Sequence, residues 1–240
     1  LNAFLQGIME TSAVQREPLG CLRILSDGRK YRYSKATAVA IAPGINLQPA
    51  IATANHINLS ALATPKGSVF VTFTVGATAV TEDMYRDGFL QVNAGTAGTL
   101  GTQYRIKSHP VVGSSGGSIT VELADPLVTA LVATTDKLSL IPNPFNGVAL
   151  GGADKPSAGI APVAVPASAY FWSQTGGVAS AGVPNGTAPG TPLVPAADGL
   201  LAVFDATVST THATIVVPTV GYALGTGVTS NFKPIWLNID

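Results

Sequence analysis

Apolar and polar residues alternate along much of this chain with a period of two, and nowhere with the period of a long helix. No stretch carries apolar residues at i, i+3, i+4 and i+7 through three turns. The clearest run is Val69–Val75 (VFVTFTV), rich in β-branched and aromatic residues and bounded by glycines, which predicts a strand. Phe89–Val92, Tyr104–Lys107, Ser118–Leu123 and Lys137–Ile141 repeat the pattern, with Gly-rich turns between them. Near the start, Lys30-Tyr31-Arg32-Tyr33-Ser34-Lys35 follows an Asp27-Gly28 turn. On a strand it puts the two tyrosines on one face and the cations on the other. Thr37–Ala50 reads as strand, Pro43-Gly44 turn and strand, and Ala54–Leu62 as a short helix or a loop.

The last third continues in a blander alphabet. Ala161–Val165, Ala169–Gln174, Pro192–Val194, Leu200–Phe204, Ala213–Val217, Val220–Leu224 and Pro234–Ile239 are predicted strands, and Ser180–Pro192 an exposed loop. Leu1–Met9 has room for one or two helical turns, and Thr11–Leu19 reads as an extended arm. The predicted fold class is therefore all-β, with two sandwich- or barrel-like modules and an extended N-terminal arm. The expected boundaries are an arm over 1–20, a discontinuous module over 21–64 and 149–240, and an inserted module over 65–148.

Composition turns this pattern toward assembly. Only 11% of residues are charged against 46% apolar, where soluble domains carry about 25% charged residues. From Pro156 to Phe232 there is no Lys or Arg, and the acids are Asp198 and Asp205. Such a surface is poorly solvated alone and suited to lying against other protein. Zero formal net charge supplies no long-range attraction to nucleic acid or an anionic membrane, and no defence against self-association. The single Cys21 cannot form an internal disulfide and reads as a small apolar filler. No apolar run reaches the ~18 residues that span a bilayer, and Leu1–Met9 lacks the cationic region of a secretory signal. The basic residues cluster: Arg16, Arg23, Arg29, Lys30, Arg32 and Lys35 are six of the thirteen in the chain. Their face meets solvent, nucleic acid or an acidic partner.

Catalytic signatures are weak. Gly113-Ser114-Ser115-Gly116-Gly117 matches G-x-S-x-G, but a predicted strand follows where a nucleophile elbow needs a helix. His56, His109 and His212 show no metal-ligand spacing. Gly95, Gly98 and Gly101 do not form a phosphate-binding loop, and the adjacent Glu82 and Asp83 would point apart on a strand. Tyr170-Phe171-Trp172 offers either core and subunit contact or a sugar-stacking platform. Alternation buries Phe171 and exposes its neighbours, or the reverse. The expectation is a protein with no catalytic site, no metal and no cofactor.

Three regions carry a family resemblance. GCLRILSDGRKYRYSK (Gly20–Lys35) resembles the opening of tailed-bacteriophage capsid decoration, or cement, proteins. DGFLQVNAGTAGTLGTQYRIKSHP (Asp87–Pro110) and IPNPFNGV (Ile141–Val148) are similar to the same group. So are Ala169–Gly177, Leu193–Ala197 and Val220–Leu224. The resemblance implies a non-enzymatic, β-rich, often oligomeric virion protein on the outer surface of an icosahedral head, where it locks neighbouring capsomers. Its expected partners are the major capsid protein and copies of itself, as a homodimer or homotrimer, with no direct contact to nucleic acid or membrane. Arg16, Arg23, Arg29, Lys30, Arg32 and Lys35 are then candidate capsid-binding residues, and Tyr170 and Trp172 candidate oligomer contacts. A tail or head-fibre component and a carbohydrate-binding receptor module stand as alternatives.

Overall fold

Turn residues fix where the first strands stop. Gly28 adopts φ 84°, a backbone conformation open to glycine, and the turn it makes joins β1 (Leu22–Ile24) to β2 (Lys30–Ala36) as an antiparallel pair. In β2 the expected division holds only over its first half: Tyr31 and Tyr33 are buried and Lys30 and Arg32 half-buried, but Lys35 falls in the phase of the tyrosines, and Ser34 and Ala36 in the other phase are buried too. The Pro43-Gly44 turn leads to β3 (Asn46–Gln48).

The computed structural model describes residues 4–95, 97–153, 155–204, 219–225 and 232–240. It is all-β, and the chain divides into two compact units, Leu1–Ala50 with Pro144–Asp240 and Ile51–Asn143. An inserted module therefore interrupts a discontinuous one, with boundaries displaced from 65 and 148.

The inserted unit opens on a 3-10 turn at Ala54–His56 and contains β4 (Leu59–Ser60), β5 (Phe70–Val75), β6 (Phe89–Ala94), β7 (Gln103–Ser108), β8 (Gly117–Leu123) and β9 (Lys137–Ile141). Their order is β4-β9-β6-β7-β8-β5, with every pair antiparallel. A bridge between Ala61 and Phe73 joins the two edges, so the sheet nearly closes on itself. Alternate residues, among them Phe73, Leu90, Ile106, Val121 and Leu140, form one core. The start of the unit is set by Leu59–Ser60, which pair with Leu138 and Lys137. The Gly113–Gly117 segment is a turn leading straight into β8, which removes the nucleophile-elbow geometry.

The discontinuous unit adds β10 (Asn146–Leu150), β11 (Gly159–Ile160), β12 (Tyr170–Gly182), β13 (Pro192–Pro195), β14 (Leu201–Val203), β15 (Gly221–Ala223) and β16 (Phe232–Asn238). The sheet runs β1-β2-β10-β3-β11-β12-β16-β15-β13-β14, and β2 also pairs with β12. That extra pairing closes β2, β10, β3, β11 and β12 into a ring. Its interior holds Ala36, Leu47, Val148 and Phe171. The long β12 makes both structures possible: Tyr170–Gly176 pair with β2, and Gly176–Gly182 pair with β16. A second core, with Ala181, Leu193, Val220, Ile235 and Leu237, lies on one face of the extension beyond the ring.

Several expectations are corrected here. The strand expected to end at Gln174 continues to Gly182, because the alternating Phe232–Asn238 strand supplies a partner along its whole second half. The exposed loop thus starts after Gly182, and Val183 is still buried. Strand β10 was not expected. It pairs in parallel with β2 and antiparallel with β3, which moves residues 144–148 into the discontinuous unit. Residues 4–19 are not a free arm: Ser12 bridges to Tyr170, Gln6 and Leu19 are buried, and turns replace the expected helix. The expected strand Ala213–Val217 lies outside the described residues, as does His212.

Candidate functional site

The six clustered cations were the first candidates, and the structure gives most of them partners inside the chain. Arg29 pairs with Asp27 at 2.7 Å and donates to the Tyr31 hydroxyl. The Arg29 main-chain N–H and guanidinium hold the Asp27 carboxyl below its ordinary range. Arg32 grips Asp240 at 2.8 and 3.2 Å and donates to the Gly20 carbonyl, while Lys30 donates to the Asp240 main-chain oxygen. Burial works to raise the Asp240 carboxyl. Hydrogen bonds, with Arg32 foremost, and the charges of Arg32 and Lys30 outweigh it and leave the group below its usual range. Arg23 lies 4.8 Å from the Phe4 ring centroid and donates to the Gln6 carbonyl. Lys35 sits over the Tyr170 ring at 5.3 Å. Arg16 is exposed, with a 3.4 Å contact to the Ser12 hydroxyl. The six residues share one region of the fold but do not present one open basic face.

Trp172, expected at an oligomer contact, has no exposed surface at all. Phe171 and Trp172 point to opposite faces of β12, and both faces are covered. Phe171 fills the ring interior, whereas Trp172 packs outside it against Tyr33 at 5.1 Å and Phe4 at 5.2 Å between ring centroids. Neither residue is free for a sugar or a second subunit, and only Tyr170 of the three stays half-exposed.

The cover over Trp172 is the N-terminal segment, and Gln6 holds it in place. Trp172 Nε1 and Arg23 Nη1 both donate to the Gln6 carbonyl. The Tyr33 hydroxyl donates to Gln6 Oε1 at 2.7 Å, and Gln6 Nε2 donates to the carbonyls of Glu10 and Tyr170. Once pinned this way, the segment turns Leu5, Met9 and Val14 outward, each 61–71% exposed. Leu22 and Ile24 of the neighbouring hairpin are exposed as well.

In the inserted unit His56 and His109 are buried on either side of Tyr85. His56 Nε2 donates to the Thr78 carbonyl, so its Nδ1 accepts from the Tyr85 hydroxyl. His109 Nδ1 donates to the Pro110 carbonyl, and its Nε2 accepts the Tyr85 main-chain N–H. Every ring nitrogen is used in holding loops together, which is a structural role. Asp83 accepts the His109 main-chain N–H and pairs with Arg86, so it too is committed to the loop. Among the described residues no three His, Cys, Asp or Glu side chains gather as a metal site, and no helix is long and apolar enough to cross a membrane.

Sequence reasoning missed the exposed aromatic pair, Tyr222 and Trp236. Phe232, Pro234 and Trp236 make one phase of Phe232–Leu237 apolar, and Ile235 and Leu237 share the other with Lys233, which is buried. Ile235 and Leu237 enter the core, leaving Phe232, Pro234 and Trp236 outside. An apolar set on each face of one strand was the signal available. Comparison with protein-family models, with curated proteins and with solved structures finds no match to this chain.

Proposed function

We propose that the chain is a non-enzymatic decoration protein of a tailed-phage head, seated on the outside of the shell through the apolar side chains of its N-terminal segment and first hairpin. The observation that carries this reading is the outward set Leu5, Met9, Val14, Leu22 and Ile24 on a chain with no net charge. Apolar side chains displayed this way mark surfaces that other protein covers. Because Gln6 already orders the segment, docking would cost less conformational entropy than folding a loose arm on arrival. The cations take a smaller part in the proposal than the sequence suggested, since most are engaged within the chain. Many copies on one shell turn modest single contacts into durable attachment.

Quantifying the chain on purified heads of its own phage tests this directly. The expected result is a copy number matching the repeating sites of the shell, with heads stripped of the chain rupturing at lower temperature. A few copies per particle at a vertex or tail would favour a fibre component and overturn the decoration role.

A further inference from the structure

We propose that the outer face of β15 and β16 is a binding site for neutral saccharides, distinct from the surface assigned to attachment. Tyr222 and Trp236 are direct cross-strand partners, with ring centroids 6.5 Å apart and planes 15° from parallel. Each is 42% exposed although it sits in the middle of a paired strand. Together they line an open pocket of about 510 Å³, to which Thr219 brings a hydroxyl and Asn238 a carboxamide. A pocket of this size is in the range of small-ligand sites.

The shape comes from the backbone. Tyr222 and Trp236 point outward because Ala223, Ile235 and Leu237, in the alternate phase, point into the core, and Gly221 beside them is buried. Gly221 lets β15 lie close against β16, since a Cβ there would come within 1.9 Å of the Trp236 carbonyl oxygen. Strand β15 is thus held close to Trp236, which fixes the spacing of the two rings.

Chemistry selects the ligand. A sugar ring has an apolar C–H face that packs on an aromatic ring and a rim of hydroxyls that both donate and accept. The Asn238 carboxamide and the Thr219 hydroxyl also donate and accept, so they match that rim. None of the described lining residues is charged, so a nucleotide's phosphate or an acidic sugar would find no counter-ion. A lipid chain would leave the amide and hydroxyl unpaired, at a desolvation cost.

Titration of the full chain with maltotetraose, cellotetraose, mannotetraose and chitotetraose, followed by calorimetry and tryptophan fluorescence, tests the site. The chain has two tryptophans, and Trp172 is buried, so a ligand-dependent change reports on Trp236. At least one neutral probe is expected to bind, with sialyllactose binding no better. Trp236→Ala should weaken the binding about tenfold, Asn238→Ala several-fold, and Trp236→Tyr should keep most of it, all with unchanged melting temperature. Failure of all four probes, equal affinity in Trp236→Ala, or stronger binding of sialyllactose overturns the proposal. A change in sedimentation coefficient on Trp236→Ala would also overturn it, by making the face a protein contact. These results are independent of whether the chain attaches to heads, so the two proposals fail separately.

Discussion

The inserted unit and the discontinuous unit use one strand vocabulary for different ends. The inserted unit buries one face of most of its strands in a single core, and charges pair across the outside, as in Arg105 with Asp87 and Lys107 with Glu122. Its unusual polar groups, His56, His109 and Asp136, are buried and bonded into loops. The discontinuous unit splits its interior among three clusters. Nine of its fifteen charged residues fall between Glu10 and Lys35, and the rest of its sequence is nearly bare of charge. Apolar side chains turn outward in both, as at Phe70, Val111 and Val128 in the first and Leu5, Met9 and Val14 in the second; what differs is charge, spread along the first and gathered mostly into one stretch of the second. Both proposed surfaces lie in the discontinuous unit.

The largest expected effect breaks the packing of the inserted unit. Tyr85→Ala removes a fully buried ring and leaves His56 Nδ1 without its donor, at a cost of about 3–5 kcal/mol. Urea denaturation followed by the histidine proton resonances checks it. A loss below about 1 kcal/mol would show that the His–Tyr–His arrangement does not hold the loops. Next comes Gly95→Ala, whose Cβ would meet Asp136 Oδ1 at 2.1 Å in a backbone conformation of φ 156°. It should cost about 1–3 kcal/mol by the same measurement.

In the discontinuous unit, Gln6→Ala removes the acceptor of the Tyr33 hydroxyl and the donor to two carbonyls. The expected loss is about 1–3 kcal/mol, with a red-shifted Trp172 emission and faster proteolysis near the N-terminus. An unshifted emission would mean that the segment stays seated without Gln6. The smallest effect is a pH dependence. The folded state holds the Asp240 carboxyl below its ordinary range, so its contribution is complete above the unfolded carboxylate range. That contribution is lost as pH falls through the folded value. Arg32→Ala should flatten this acid-side slope in thermal melts, and an unchanged slope would contradict the assignment.

Much of the inserted unit was legible in the sequence because most strands there are half-buried, so alternation reports directly on burial; Lys137–Ile141, with three adjacent buried residues, is the exception. Phe70–Val75 and Gly117–Leu123 show this, as does the first half of Lys30–Ala36 in the other unit. The discontinuous unit was harder to read where both faces of a strand are covered. Alternation then carries no information, and Phe171 and Trp172 are buried side by side. The Gly- and Ala-rich second half of β12 has weak strand propensity of its own and is carried by its pairing with β16. Cations in a row suggested an open basic face. Their partners Asp240 and Gln6 are remote in sequence or attached through the main chain, and no local pattern reveals such contacts.

The attachment claim is tested most directly by comparing the wild-type chain with a Leu5→Glu, Met9→Glu, Val14→Glu variant in co-sedimentation with stripped heads. These side chains are exposed, so the variant should keep the wild-type melting temperature. The account predicts that wild-type chain sediments with the heads and the variant stays in the supernatant. Equal sedimentation of the two would contradict it.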